Sequence, residues 1–304
     1  MQPGTTLNRD KLSAAGSLTA EVTATTPSTK MLSTIILTKN EEQDLPRCLQ
    51  ALAWCDDTHV VDSGSTDRTC EFVLQLGARL YHRPFDSFAG QRNWALDHCE
   101  LRHAWVLFLD ADEEAVPAFA AAVAAAVRAA PDDVAGFYCC WKMMLGGRWL
   151  KHSDSFPKWQ LRFLRRGRVN FIDVGHGQKE NNVKGRLDYI KEPYLHHAFS
   201  KGWRHWLERH NQYSDLEAAD RAGHKVEWRA FFSRHASERN KSLKRAASSV
   251  PGWPLLRFFH AYVVKRGFLD GRPGFDYSVL LGYYEFLIHL KMRELKHSGC
   301  RRRS

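Results

Sequence analysis

Most of the signatures that fix a function at sight are missing from this 304-residue chain. The seven cysteines (Cys48, Cys55, Cys70, Cys99, Cys139, Cys140 and Cys300) are scattered and form no CxxC pair. An odd number without a framework argues against disulfide staples and structural zinc and fits a reducing, cytoplasmic setting. There is no Walker loop, no Gly-x-Gly-x-x-Gly and no Gly-x-Ser-x-Gly. P-loop hydrolysis, Rossmann dehydrogenation and α/β-hydrolase chemistry therefore lack their marks. No stretch holds the ~20 apolar residues that span a bilayer; Ser278–Leu290 is shorter and carries Glu285 and His289. Acids are scarce in the second half. Residues 142–304 hold 33 Lys and Arg against 15 Asp and Glu, a net +18, whereas residues 1–141 hold 11 against 19, a net −8. Such a basic half suits an anionic partner: nucleic acid, phospholipid or a phosphorylated acceptor.

What is present begins after a Thr-, Ser- and Ala-rich stretch, residues 1–30, that reads as a disordered leader. From Leu32 strand and helix patterns alternate, the mark of an α/β fold with a mainly parallel sheet. Strands are expected at Leu32–Thr38, Thr58–Asp62, Ala78–His82 and Ala104–Leu109, with helices at Glu42–Ala53, Thr66–Gly77, Ser87–Cys99 and 116–130. A β-rich stretch follows, with Val134–Trp141, Trp159–Arg165 and Val169–Asp173, and then helices at 201–222, about 230–247, 254–266 and 276–296.

Ligands of open α/β sheets sit at the carboxyl ends of strands, and three of those ends carry polar clusters here. They are Thr38-Lys-Asn-Glu-Glu42, Asp62-Ser-Gly-Ser-Thr-Asp67 and Asp110-Ala-Asp112, with Gly90-Gln-Arg-Asn93 lining a helix between the last two. Residues i and i+2 of a strand share a face, so Asp110 and Asp112 are spaced to hold one hard divalent cation, and through it a diphosphate. Each cluster alone also reads as ordinary punctuation. Asn-Glu-Glu suits a helix N-terminus, Asp-Ser-Gly-Ser is a turn with an N-cap, and paired acids can end any αβ unit.

Taken together and in order, Ser33–Glu42, Val60–Asp67, Gly90–Ala95 and Phe108–Glu113 resemble the family-2 glycosyltransferases of GT-A fold. Trp159–Arg166, Gly175–Glu180, Phe199–Gly202 and His210–Ser214 resemble the branch of lipopolysaccharide-core β-1,4-glucosyltransferases and exopolysaccharide enzymes. The resemblance implies a GT-A catalytic domain over residues 31–200 and a helical C-terminal extension over 201–304. It implies that Thr38, Asn40 and Glu41 lie against a nucleotide and that Asp62 accepts the imide hydrogen of uracil. Gly64 and Ser65 would let the backbone approach the base, and Arg92 or Asn93 would meet the diphosphate or ribose. Asp110 and Asp112 would be the metal-binding pair for Mn²⁺ or Mg²⁺, with Asp112 the direct ligand. The implied activity is inverting transfer of a sugar, glucose being one candidate, from a UDP-linked donor to a lipid-linked or polysaccharide acceptor. A carboxylate must take the acceptor's proton, because an alcohol is a poor nucleophile at neutral pH. Asp154, Asp173 and Glu180 are the candidates, Glu180 being favoured over Asp154. Related enzymes often carry an acid beside the Trp-Gln-Leu-Arg segment, where this chain has Lys158. His176 is a candidate further metal ligand or phosphate contact.

In the basic half, Trp203, Trp206, Leu207 and His210 fall on one helical face and suit packing against the sheet. Trp253–Arg266 and Ser278–Lys296 mix aromatic and aliphatic residues with terminal Lys and Arg. That pattern suits either a core helix pair or helices lying in the surface of an anionic membrane, which would set the protein peripherally on the inner face of the cytoplasmic membrane. Two other classes fit less well. A nucleotidyltransferase acting on sugar phosphates would show a Gly-rich, basic loop after the first strand, where Thr38–Glu42 is acidic. A nucleic-acid-binding protein could use the +18 half, but the acidic strand ends repel phosphate without a cation and no binding motif is present.

Overall fold

The structure is a computed structural model that describes residues 31–174, 177–223 and 252–301. Its first strands, β1 (Leu32–Thr38), β2 (Thr58–Asp62), β3 (Arg79–His82) and β4 (Trp105–Asp110), are parallel and lie in the order β3-β2-β1-β4. Helices α1 (Leu45–Gln50), α2 (Thr69–Gln75) and α3 (Phe88–His98) make the crossovers. Both sheet faces are covered, so β1 and β4 read as near-continuous apolar runs. Ile36, Leu107 and Leu109 pack into one core layer, Ile35, Val106 and Phe108 into the other. Because β2 and β4 leave β1 on opposite sides, the strand order reverses at β1. A crevice at such a switch point is where open α/β sheets bind ligands. In register, Leu37 stands opposite Asp110 and Thr38 opposite Asp62.

Beyond β4 the sheet becomes mixed. Strand β5 (Glu113–Glu114) and helix α4 (Pro117–Ala129) lead into β6 (Val134–Leu145), onto which the short β7 (Arg148–Trp149) folds back. Strand β8 (Trp159–Arg165) runs antiparallel to both β4 and β6. β9 (Asn170–Val174) and β10 (Gly177–Asn181) form a separate antiparallel pair. β11 (Arg186–His196) is parallel to β6 and closes on β5. This is the GT-A-like sheet with flanking helices, parallel in its first four strands and mixed after them.

Two segments differ from the sequence reading. Gly177–Asn181, where no strand was expected, forms β10, and β11 carries no clear strand pattern. Its Lys191-Glu192-Pro193 interrupts the alternation, and the register shifts between Ile190 and Tyr194. A proline within a strand is tolerated at such a bulge.

The C-terminal part is helical: α5 (Gly202–Gly223), α6 (Trp253–Phe259) continuing through a π turn (His260–Val264), a 3-10 turn (Gly267–Asp270), and α7 (Arg272–Arg301). The helix expected near 230–247 and the leader over 1–30 lie outside the described residues. α5 and α7 are joined by a buried ion pair, Arg221 Nη1 to Glu285 Oε2 at 2.7 Å. α6 crosses α7 at Gly282, where a Cβ would stand 2.9 Å from the Pro254 carbonyl oxygen. The buried Asp270 fixes the 3-10 turn to the β7–β8 connection. It accepts from the Ser153 backbone N–H and hydroxyl, each at 2.7 Å, and from the His152 N–H at 3.0 Å. Among the described residues no helix is long and apolar enough to cross a membrane.

Candidate active site

A cleft of about 490 Å³ opens over the carboxyl ends of β1 and β4. Thr38 lines it from the end of β1 and Glu41 from the loop beyond, Asp110 from the end of β4 and Asp112 from the turn beyond, and Gln91 and Arg92 from α3. Gln160 of β8, Gln178 of β10 and His196 of β11 form the far wall, and His205, Arg209 and Tyr213 of α5 form a lip. Five of the residues expected at a nucleotide site, Thr38, Glu41, Arg92, Asp110 and Asp112, therefore meet in one cavity.

The two aspartates stand in different surroundings. Arg162 donates to both Asp110 oxygens, at 3.1 and 2.7 Å, and Arg92 adds a contact at 3.3 Å. Arg162 also holds the buried Glu113 at 2.6 Å, and Glu113 in turn accepts the Asp110 N–H at 2.8 Å. Burial by itself would raise the Asp110 pKa; the two guanidinium groups outweigh it and hold the carboxyl well below the usual carboxylate range. Burial pushes Glu113 the other way, with the Asp110 charge adding to the rise and Arg162 opposing it. Asp110 thus sits in an arginine clamp.

Asp112 turns its carboxylate towards His196, Oδ2 lying 3.4 Å from Nε2. Burial opposes ionisation of both groups, yet each stabilises the other's charge, lowering the Asp112 pKa and raising that of His196. The His196 Nδ1 is buried with no hydrogen-bond partner. One carboxylate oxygen and one imidazole nitrogen converging at a cleft wall form a donor set that suits a divalent cation sharing its remaining positions with diphosphate oxygens. His196 was not singled out from the sequence; His176, which was, lies outside the described residues.

The loops after β1 and β2 are tied to each other. Asn40, in the left-handed region at φ 55°, accepts the Thr66 N–H through its side chain at 2.8 Å and donates its own N–H to Ser65 Oγ at 2.8 Å. Asp62 accepts the N–H groups of Gly64 and Ser65 at 2.9 and 2.8 Å, the Thr38 hydroxyl at 3.2 Å, and the Ser65 hydroxyl. Gly64 has φ 85°, which this Asx turn requires and which few other residues adopt. In this structure the Asp62 carboxylate, which the resemblance sets against a base, orders the loop after β2. Glu41 pairs with Lys201 at 2.8 Å, and burial, partly opposed by that lysine, pushes its carboxyl up to about 7. His205 also lines the cleft, where burial and the neighbouring Lys201 and Arg209 lower its pKa and keep the imidazole neutral, free to accept a proton.

Arg92 is buried against the Phe108 ring, its guanidinium carbon 5.1 Å from the centroid, and burial lowers its pKa to about 10. The neighbouring Asn93 leaves the cleft. Its side chain pairs in both directions with the Phe171 backbone of β9 at 2.9 Å and so anchors α3. The expected bases are also elsewhere. Glu180 accepts the Tyr138 hydroxyl at 2.8 Å, and Asp173 accepts the Ala89 N–H at 2.9 Å. Asp154 is buried beneath α7, accepting from Tyr277 at 2.7 Å and from Lys158. Each of these acids pins one element to another, and none lines the cleft.

Arg162 and His196 escaped the sequence reading for different reasons. Arg162 had a signal, since Gln160 and Arg162 are polar residues at i and i+2 among the apolar Trp159, Leu161, Phe163 and Leu164 of β8. His196 ends a strand whose pattern Pro193 obscures.

Residues 33–178 match the model of glycosyl transferase family 2. That span is a family-2 glycosyltransferase domain, and the protein is a glycosyltransferase. Similar proteins include an uncharacterized glycosyltransferase of Rickettsia typhi, 26% identical over 276 residues that cover 88% of each chain. The lipopolysaccharide core biosynthesis glycosyltransferase LpsC of Rhizobium meliloti is 29% identical over 193 residues, 62% of this chain and 70% of that one. Among solved structures, residues 1–349 of Staphylococcus aureus TarS in complex with UDP-GlcNAc give a TM-score of 0.45 at 18% identity, covering 89% of this chain and 92% of that one.

Proposed function

We propose that this glycosyltransferase moves a sugar from a UDP-linked donor to a lipid-linked or polysaccharide acceptor of the cell envelope, with inversion and with a divalent cation. The observation that carries the reading is the Asp112–His196 pair facing the switch-point cleft beside clamped Asp110. Asp112 and His196 would hold Mn²⁺ or Mg²⁺, which when bound supplies charge to offset that growing on the departing diphosphate. Arg92 and Arg162 fix Asp110 and add positive charge to the same end of the cleft. Thr38, Glu41 and the loop ordered by Asn40 and Asp62 would seat the nucleoside. An acceptor hydroxyl then attacks the anomeric carbon opposite the diphosphate. The new C–O bond forms as the bond to the diphosphate oxygen breaks, and UDP leaves. The hydroxyl proton would pass to a group on the α5 lip of the cleft, His205, rather than to Glu180 or Asp154. A second hollow of about 240 Å³ adjoins the cleft, sharing His196, Arg209 and Tyr213 with it and walled by Trp206, Tyr277 and Tyr284. Its aromatic walls suit the faces of an acceptor sugar. The likeness to LpsC supports an acceptor of the lipopolysaccharide kind.

Heat unfolding followed with UDP, with and without Mn²⁺, tests the berth. At a ligand concentration 100-fold above Kd, binding adds about 2.7 kcal/mol, so UDP with Mn²⁺ should raise the midpoint by several degrees and UDP alone by much less. A rise that does not depend on the metal would remove Asp112–His196 from the proposed role.

A further inference from the structure

We propose that α6, the π turn and the 3-10 turn form a docking surface for an anionic lipid bilayer. The inference goes beyond the proposed transfer reaction and does not rest on it.

None of the residues of α6 is buried. Leu255, Phe259, Val263, Val264, Phe268 and Leu269 are all exposed, Leu255 and Val264 to 68%. These are large apolar side chains gathered within 15 residues, not single exposures scattered over a surface. The chain geometry brings them together. Arg266 adopts the left-handed region at φ 60°, turning the chain so that the Phe268 ring returns to 6.3 Å from that of Tyr262 in the π turn.

Charge decides which occupant the surface fits. Between Gly252 and Phe275 the one acid is Asp270, which is buried and committed to His152 and Ser153. Lys265 and Arg266 are exposed beside Val264, and Arg257 lies among the α6 leucines. Apolar side chains fringed by cations, with no exposed acid among them, match a bilayer whose headgroups are negative. A second copy of the chain would bring the same cations against one another. The surface is also firmly attached to the catalytic unit: Asp270 binds the β7–β8 connection, and Tyr277 of α7 binds Asp154 there at 2.7 Å. Docking would hold the cleft at a fixed attitude to the lipid.

The test is co-sedimentation of the full chain with phosphatidylglycerol-rich vesicles and with neutral phosphatidylcholine vesicles, at low and high salt. The expected result is binding to the anionic vesicles that weakens with salt and little binding to neutral ones. Leu255→Glu/Val264→Glu should lower the affinity about tenfold or more with an unchanged melting midpoint, and Lys265→Glu/Arg266→Glu should remove the salt-sensitive part. Wild-type protein that ignores both vesicles, or variants that bind as wild type does, would overturn the proposal. So would a dimer in solution that Leu255→Glu dissociates, which would assign the surface to a second copy.

Discussion

Asp112→Ala should lower kcat/KM by about 10³-fold or more, equivalent to ~4 kcal/mol of transition-state stabilisation, while the protein stays folded. The expectation follows from the different surroundings of the two aspartates. Asp110 is held by Arg162 and Arg92, but Asp112 faces the cleft and, among the described residues, has His196 alone as a side-chain ion-pair partner. Removing it deletes no structural hydrogen bond of its carboxylate beyond that contact. It also relieves repulsion within a crowd of acids that includes Asp110, Glu113 and Glu41, which offsets part of the lost contact with His196, so the fall in melting midpoint should be small. Steady-state transfer measured beside a melting curve separates the two effects. Glu180→Gln is the contrast in the same assay. Its carboxylate is occupied by Tyr138, so turnover should be kept, where loss of a general base would cost about 10²–10⁴-fold. Unimpaired transfer by Asp112→Ala would end the cation assignment, and collapse of Glu180→Gln would return that residue to catalysis.

Arg162→Met should have the largest effect on stability. The guanidinium is buried and joins Asp110, at the end of β4, to Glu113, at the start of β5. Taking it away leaves two carboxylates without their shared counter-ion in a poorly solvated place. Breaking a buried pair from one side costs about 3–5 kcal/mol, and for a chain of this size that lowers the melting midpoint by roughly 10 °C. Replacing the partner as well should recover part of the loss, so Arg162→Met/Glu113→Gln is expected to melt above Arg162→Met. Calorimetry on the three proteins reads this directly. A single variant as stable as wild type would mean that solvent reaches these carboxylates freely.

The sequence carried residues 32–130 well, because parallel strands buried on both faces give clear apolar runs. β1, β2 and β8 begin and end where the pattern says. The runs also place Thr38, Asp62 and Asp110 at strand ends, so one cleft could be expected from the pattern alone. What pattern could not supply was side-chain partnership across long separations. The clamp of Asp110 by Arg162 spans 52 residues, and the Glu41–Lys201 pair joins the first loop to the segment before α5. Asn93 and Glu180 are polar residues near the right place that turn to backbone and tyrosine partners instead. β11 was missed because Pro193 breaks its alternation, and with it went His196, the residue that completes the cleft.

Nucleotide release is the most direct measurement of the account as a whole. UDP-, GDP- and ADP-sugars would each be offered with Mn²⁺ and a bacterial envelope extract as acceptor. The account predicts acceptor-dependent release of UDP from a UDP-sugar, lost on chelating the metal and lost in Asp112→Ala. Release from GDP- or ADP-sugars instead, or UDP release that survives both chelation and the substitution, would contradict it.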